Sequence, residues 1–208
     1  KKNTLPPKEF IAYIERRKLI ITITNQIIEK VIHDLKKLPN NIKLSINIPP
    51  IYLENGHLFK ILTNHKWKYC SNIHFEITER FPFSNLDKVK SEMSKINTLG
   101  YQVAIDDFGM GYGGIYYLNE LNINKIKIDK SFVDIVSRNR SKKLLNAIVA
   151  FAKMADLEII AEGVEHKEQA NYLHDIGIYC MQGFLFSKPL NITDFISWIR
   201  ENKNKYTI

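Results

Sequence analysis

The strongest constraint on this chain is a rhythm of short apolar runs alternating with longer amphipathic ones. Residues 41–48 (NIKLSINI), 72–79 (NIHFEITE), 101–109 (YQVAIDDFG), 123–129 (INKIKID), 158–164 (EIIAEGV) and 179–186 (YCMQGFLF) have the length and the β-branched and aromatic content of strands. Residues 9–20, 23–38, 85–100, 114–121, 131–137, 140–157, 166–177 and 191–202 carry apolar positions at helical spacing, and residues 51–65 read as loop and helix. Pro49 and Pro50 stop the first strand. Gly100 is placed to end one helix, and Asn191 or Thr193 to cap the last. Strand and helix in regular alternation predict a parallel sheet with helices packed outside it, joined by right-handed crossovers. The strands are apolar at nearly every position, as expected of strands buried on both faces. Two architectures compete: an open doubly wound sheet and a (β/α)8 barrel. Six strands are two short of closing the barrel.

Each strand ends, on its C-terminal side, in a polar residue that is costly to bury. These are Asn47; Glu76 and Glu79; Asp106 and Asp107; Lys127 and Asp129; Glu162, followed by Glu165; and Gln182. One acid at a strand end more often caps the next helix than binds anything. Six successive strands ending this way point to a common mouth, where barrel enzymes keep their catalytic groups. Carboxylates gathered there stay ionised only beside cations. The donors are oxygens, with no His or Cys, which favours Mg²⁺ or Mn²⁺. Two such ions sharing Asp106 suit in-line phosphodiester hydrolysis. Lys127 can hold the water or the phosphate there, or it is a buried lysine paired with Asp129 or Asp106 for structure alone. Four of the nine glycines fall between Gly109 and Gly114. That loop lacks the Lys-Ser/Thr of a Walker A motif and the spacing of a dinucleotide fingerprint. It is a weak phosphate cradle and a better mobile loop beside the acids.

Composition sets the remaining bounds. With 45% apolar and 25% charged residues over 208 positions, the chain has enough material for a core and is not disordered. No run reaches the roughly 18 apolar residues of a membrane span, and the N-terminus lacks the apolar stretch of a signal peptide. Cys70 and Cys180 make neither a disulfide scaffold nor a CxxC motif, so a reducing, cytoplasmic setting is expected. The net charge of +8 suits an anionic ligand, but the basic residues are dispersed. The aromatics sit mostly at core spacing, and no nucleic-acid-binding motif accompanies them, which argues against a nucleic acid polymer as partner. Tyr112, Tyr116 and Tyr117 are placed for packing, with guanine stacking as the alternative.

The strings SINI, FEITE, AIDDFGMGY, KIKIDKSFV, IIAEGVE and MQGFLFSKP occur in this order. Together they resemble the EAL-domain family, bacterial phosphodiesterases that hydrolyse cyclic di-GMP to linear pGpG. The resemblance runs from residue 5 to the final helix. It implies a modified TIM-like (β/α)8 barrel whose first strand is antiparallel, with the N-terminal strands absent from the given sequence. Asn47, Glu76, Asp106 and Glu162 match the family's metal ligands, and Asp107 matches the acid that helps hold a second ion. Lys127 matches the lysine that orients the attacking water, making Lys127, Glu162 and Asp106 the catalytic candidates. Gln182, Asp107 and Pro189 fall at substrate-lining positions. Glu79 matches the glutamate that anchors the Gly-rich loop, and Glu165 the second acid of the EGVE motif.

The resemblance also implies two Mg²⁺ or Mn²⁺ ions and inhibition by Ca²⁺, whose larger radius and looser coordination spoil a two-ion geometry. Cyclic di-GMP is the expected ligand, a homodimer the expected assembly, and insertion of this segment into a membrane is not expected. The namesake Glu-Ala-Leu segment should precede residue 5 and is absent. Residues 1–208 are therefore read as one N-terminally incomplete domain of a longer protein, such as the cytoplasmic part of a membrane-anchored one. Met110, Gly113, Gly114 and Pro49 depart from the family's usual residues. A metal-dependent phosphodiesterase is the leading reading. The alternative is a non-catalytic module that binds cyclic di-GMP or a protein partner.

Overall fold

The computed structural model describes residue 14 and residues 19–64, 70–79, 83–111, 113–137 and 142–202. Most of the helix expected over residues 9–20, Tyr112 and the tail at 203–208 lie outside these residues. Helix α1 (Ile20–Leu35) leads into β1 (Leu44–Asn47). Pro49 is extended, and Pro50 opens α2 (Pro50–Glu54), where the missing N–H costs nothing. Helix α3 (His57–Asn64) and β2 (Ile73–Thr78) follow. Asn85 then starts α4 (Leu86–Thr98), its Oδ1 accepting the Lys88 N–H at 3.1 Å. Beyond it come β3 (Gln102–Phe108), α5 (Gly114–Glu120), β4 (Lys125–Ile128), α6 (Lys130–Ser137) and α7 (Lys143–Met154). The chain continues through β5 (Glu158–Ala161), α8 (Lys167–Asp175) and β6 (Cys180–Met181) to α9 (Ile192–Asn202). Asn191 caps α9 by accepting the Asp194 N–H at 3.0 Å.

The six strands pair in sequence order, β1-β2-β3-β4-β5-β6, and every pairing is parallel. A doubly wound sheet reverses its strand order partway, and this one never does. Right-handed crossovers repeated in one direction put every helix on the same face. The result is an arc of a TIM-like barrel. Among the described residues, no helix is long and apolar enough to cross a membrane.

Alternate residues of a strand face opposite ways, and the register makes two rows. Ile46, Phe75, Ile105, Ile126, Ile128 and Ile159 belong to the row facing the helices. They are buried in one core with Ile28, Val89, Leu145 and Val149. Phe75, Ile126 and Ile128 are fully buried, each contributing about 1.5–3 kcal/mol. The other row reads Ser45, Asn47, His74, Glu76, Thr78, Gln102, Ala104, Asp106, Lys125, Lys127, Glu158, Ile160 and Glu162. Strands apolar on both faces are therefore not what forms: one face is apolar and the other largely polar.

The last strand is also shorter than the expected 179–186. Only Cys180 and Met181 pair, and Phe184, Leu185 and Phe186 form a turn closed by the Phe186 N–H on the Gly183 carbonyl at 3.1 Å. Gly183 causes the bend. Its α-carbon passes so close to the backbone of Val164 that an added Cβ would collide with the Val164 carbonyl oxygen. Val164 donates to the Gln182 carbonyl and accepts from the Leu185 N–H, both at 3.0 Å.

Candidate active site

The polar row converges at the C-terminal ends of the strands. One carboxylate oxygen each from Glu76, Asp106 and Glu162 lies within 4.8 Å of the others. They come from β2, β3 and the residue after β5, and Glu162 extends the ladder by donating its N–H to the Ile128 carbonyl at 3.1 Å. Lys127 of β4 stands among them. Its Nζ is 2.5 Å from Glu76 Oε2, 2.5 Å from Glu162 Oε1 and 3.3 Å from Asp106 Oδ1. The lysine is 3% exposed and Glu76 4%.

A β-bulge gives the third strand two acids at this point. Ile105 pairs with Ile126 and Phe108 with Ile128, so Asp106 and Asp107 together oppose Lys127. Asp107 takes a left-handed backbone (φ 57), and its N–H donates to Asp106 Oδ1 at 3.0 Å.

Burial works against the Lys127 charge, but the carboxylates of Glu76 and Asp106 and the hydrogen bonds to Glu162 and Glu76 outweigh it. The lysine therefore holds its proton more firmly than an ordinary lysine. Burial raises the Glu162 pKa, Lys127 pulls it back, and Asp106 and Glu76 push it up further. The cluster is thus an all-oxygen donor set with an excess of negative charge, which suits a hard divalent cation.

The other candidate residues have contacts of their own. Asn47 is in register beside Glu76. Glu79 is 2% exposed, and its Oε1 accepts the Gly111 N–H at 2.6 Å. A Cβ on Gly114 would run into Glu79 Oε2 and the Phe108 ring. The glycines of this loop thus let the backbone close over a carboxylate, a use that differs from cradling phosphate. Glu165 pairs with Lys130, tying the turn after β5 to the start of α6. Gln182 directly follows β6, its N–H donating to the Ala161 carbonyl at 2.8 Å. Pro189 lies in an exposed segment ahead of α9. Glu76, Asp106, Lys127 and Glu162 are in mutual contact. Gln182 and Pro189 are exposed and are not among the residues in contact there.

Sequence reading missed a second polar layer on the same face. Lys125, 2% exposed, places its Nζ 3.2 Å from His74 Nδ1, 3.4 Å from Gln102 Oε1 and 2.9 Å from Glu158 Oε2. Burial, with Lys125 and Lys43 adding and Glu158 opposing, pushes the His74 imidazole down to about 4. The signal was present in the strict alternation of His74, Glu76 and Thr78 with Phe75 and Ile77, and of Lys125 and Lys127 with Ile126 and Ile128.

Comparison with known proteins gives this geometry a context. A family model described as EAL domain matches residues 1–189. The chain is 32% identical over 206 residues to the Probable cyclic di-GMP phosphodiesterase PdeN of Escherichia coli (strain K12). That match covers 95% of this chain and 39% of PdeN, so the chain spans well under half of that relative. Among solved structures, it is similar to EAL enzyme Bd1971 in its cAMP and cyclic-di-GMP bound form. The TM-score is 0.85 at 33% identity, covering 94% of this chain and 56% of the other. It is also similar to the manganese/cy-diGMP complex of Klebsiella pneumoniae BlrP1. There the TM-score is 0.70 at 27% identity, covering 88% and 48%.

Proposed function

This chain belongs to the EAL-domain family, and on that premise we propose that it carries out divalent-metal-dependent hydrolysis of cyclic di-GMP to linear pGpG. The observation that carries the proposal is the meeting of Glu76, Asp106 and Glu162 around Lys127 at the strand ends. Glu76, Asp106 and Glu162 would hold Mg²⁺ or Mn²⁺, with Asn47 and Asp107 completing the set for two ions. When bound, such ions activate water and neutralise the charge developing on the phosphate.

The chain's own residues do the rest. Lys127 would act as a hydrogen-bond donor that orients the attacking water. Gln182, Asp107 and Pro189 would line the substrate. Glu79 and Glu165 would hold the two loops flanking the site, the first through Gly111 and the second through Lys130. Ile115 and Tyr116 of α5 are exposed beside the Gly-rich loop, which supports a homodimer formed through that helix. The cytoplasm, where cyclic di-GMP is made and used, is the proposed location.

The test is conversion of cyclic di-GMP to pGpG by the intact protein with Mg²⁺ or Mn²⁺, followed by chromatography. Turnover should vanish in Asp106→Asn and Lys127→Ala. Near-normal rates in either variant would sink the assignment. Binding of cyclic di-GMP without turnover by the wild-type protein would make it a non-catalytic module instead.

A further inference from the structure

Lys127 is placed in a way that its proposed role in catalysis does not require. An ammonium group has three N–H donors. Here three carboxylates, Glu76, Asp106 and Glu162, surround it at 2.5, 3.3 and 2.5 Å. Glu76 and Glu162 accept hydrogen bonds from it and Asp106 completes the ion-pair cage, so the ammonium is turned toward the carboxylates rather than toward a water or a phosphate oxygen. It also occupies the centre of the donor set that a metal ion would use. Three carboxylate oxygens within 4.8 Å of one another repel in a site that is partly buried. In the arrangement described, the lysine is the positive charge that offsets the repulsion.

We propose that Lys127 is an internal stand-in cation. It holds Glu76, Asp106 and Glu162 converged until divalent ions arrive, and it must leave that position for them to bind. The inference rests on the metal reading above and deepens it, because loading the site and freeing the lysine become one event. A lysine displaced from the carboxylates regains its donors while still tethered to β4 beside them. The same side chain thus has two exclusive stations, one that keeps the site assembled and one that serves water or substrate. The protein pays for its ready-made site in metal affinity, since an ion must compete with the lysine, and the apparent affinity falls by the fraction of molecules in which the lysine has moved away.

Two measurements test this without reading activity. In the first, Lys127→Met is compared with wild type by thermal melting and by Mn²⁺ titration followed by the loss of the free-ion electron paramagnetic resonance signal. The metal-free variant should melt lower, because three converged carboxylates, that of Glu76 buried and the others half-buried, lose their counter-charge. Mn²⁺ should raise its melting temperature more than that of wild type, and its apparent affinity should be about tenfold tighter or more. Equal or weaker affinity in the variant would overturn the proposal.

The second measurement needs no variant and decides the matter if Lys127→Met does not fold. In ¹⁵N-lysine-labelled wild-type protein, one ammonium resonance should be protected from exchange without metal. It should move or broaden in step with Mg²⁺ occupancy. Mg²⁺ binding that leaves this resonance unmoved would remove the inference alone. Failure of the wild-type protein to bind either ion would remove the metal reading and the inference together.

Discussion

The carboxylate of Glu79, at the end of the second strand, accepts the amide hydrogen of Gly111 at 2.6 Å, while its other oxygen rests against Gly114. One buried acid thus holds the Gly-rich loop that leaves the two aspartates of β3 at its middle and at its junction with α5.

Removing that anchor should loosen the loop and the site together. Glu79→Ala is expected to cost about 0.5–1.5 kcal/mol of stability, the net worth of one hydrogen bond, and to lower turnover. Gly114→Ala should produce a similar loss from the other side, because its methyl group would displace the same carboxylate. The double variant should fall short of the sum of the two, as residues in contact do. Urea unfolding of the four proteins checks this, and full additivity would show that the contact does not act as a unit.

Chelation should separate fold from activity. With EDTA, turnover should be lost while circular dichroism stays unchanged, since Lys127 continues to satisfy the three carboxylates. Mn²⁺ should restore the rate. Excess Ca²⁺ should suppress it by binding the same oxygens in a looser, larger geometry.

His74 should make stability depend on pH. Folding holds its imidazole down to about 4, against an ordinary value of 6.5, so it resists protonation that the unfolded chain accepts. Stability from this residue is fully present above pH 6.5 and is lost as pH falls toward 4. The total is on the order of 3 kcal/mol. In His74→Gln the fall between these values should be shallower than in wild type, as read from melting temperatures across the range.

Gly183→Ala should damage the corner after β6. Its Cβ would strike the Val164 backbone, and the backbone shift that relieves this costs about 1–3 kcal/mol. The pairing of Val164 with Gln182 and Leu185 should open, visible as faster amide exchange at Val164 and Leu185, the two residues whose N–H groups donate in it. Unchanged exchange would show that the corner has room to spare.

The residues that meet at Lys127 were legible in the sequence because each ends a strand and strands in a parallel sheet end on the same side. Asp106 and Asp107 could be named but not arranged. Consecutive strand residues normally face opposite ways, and only the bulge, with its left-handed Asp107, sets both against one residue of β4. The layer of His74, Gln102, Lys125 and Glu158 is hidden in the sequence because strands of four to six residues offer too few positions for alternation to stand out against their overall apolar content. The Phe184–Phe186 turn looked like strand because its aromatic content is that of a strand. What overrides it is the close approach of another chain segment at Gly183, which local composition does not record.

The two rows of side chains have a wider consequence. Charged and greasy positions interleave along the same strands, so the mouth can be rewritten while the helical jacket keeps its grip on the sheet. An inert descendant could therefore share the outline, stability and expression of a working one. Only every second residue of six short segments would tell them apart.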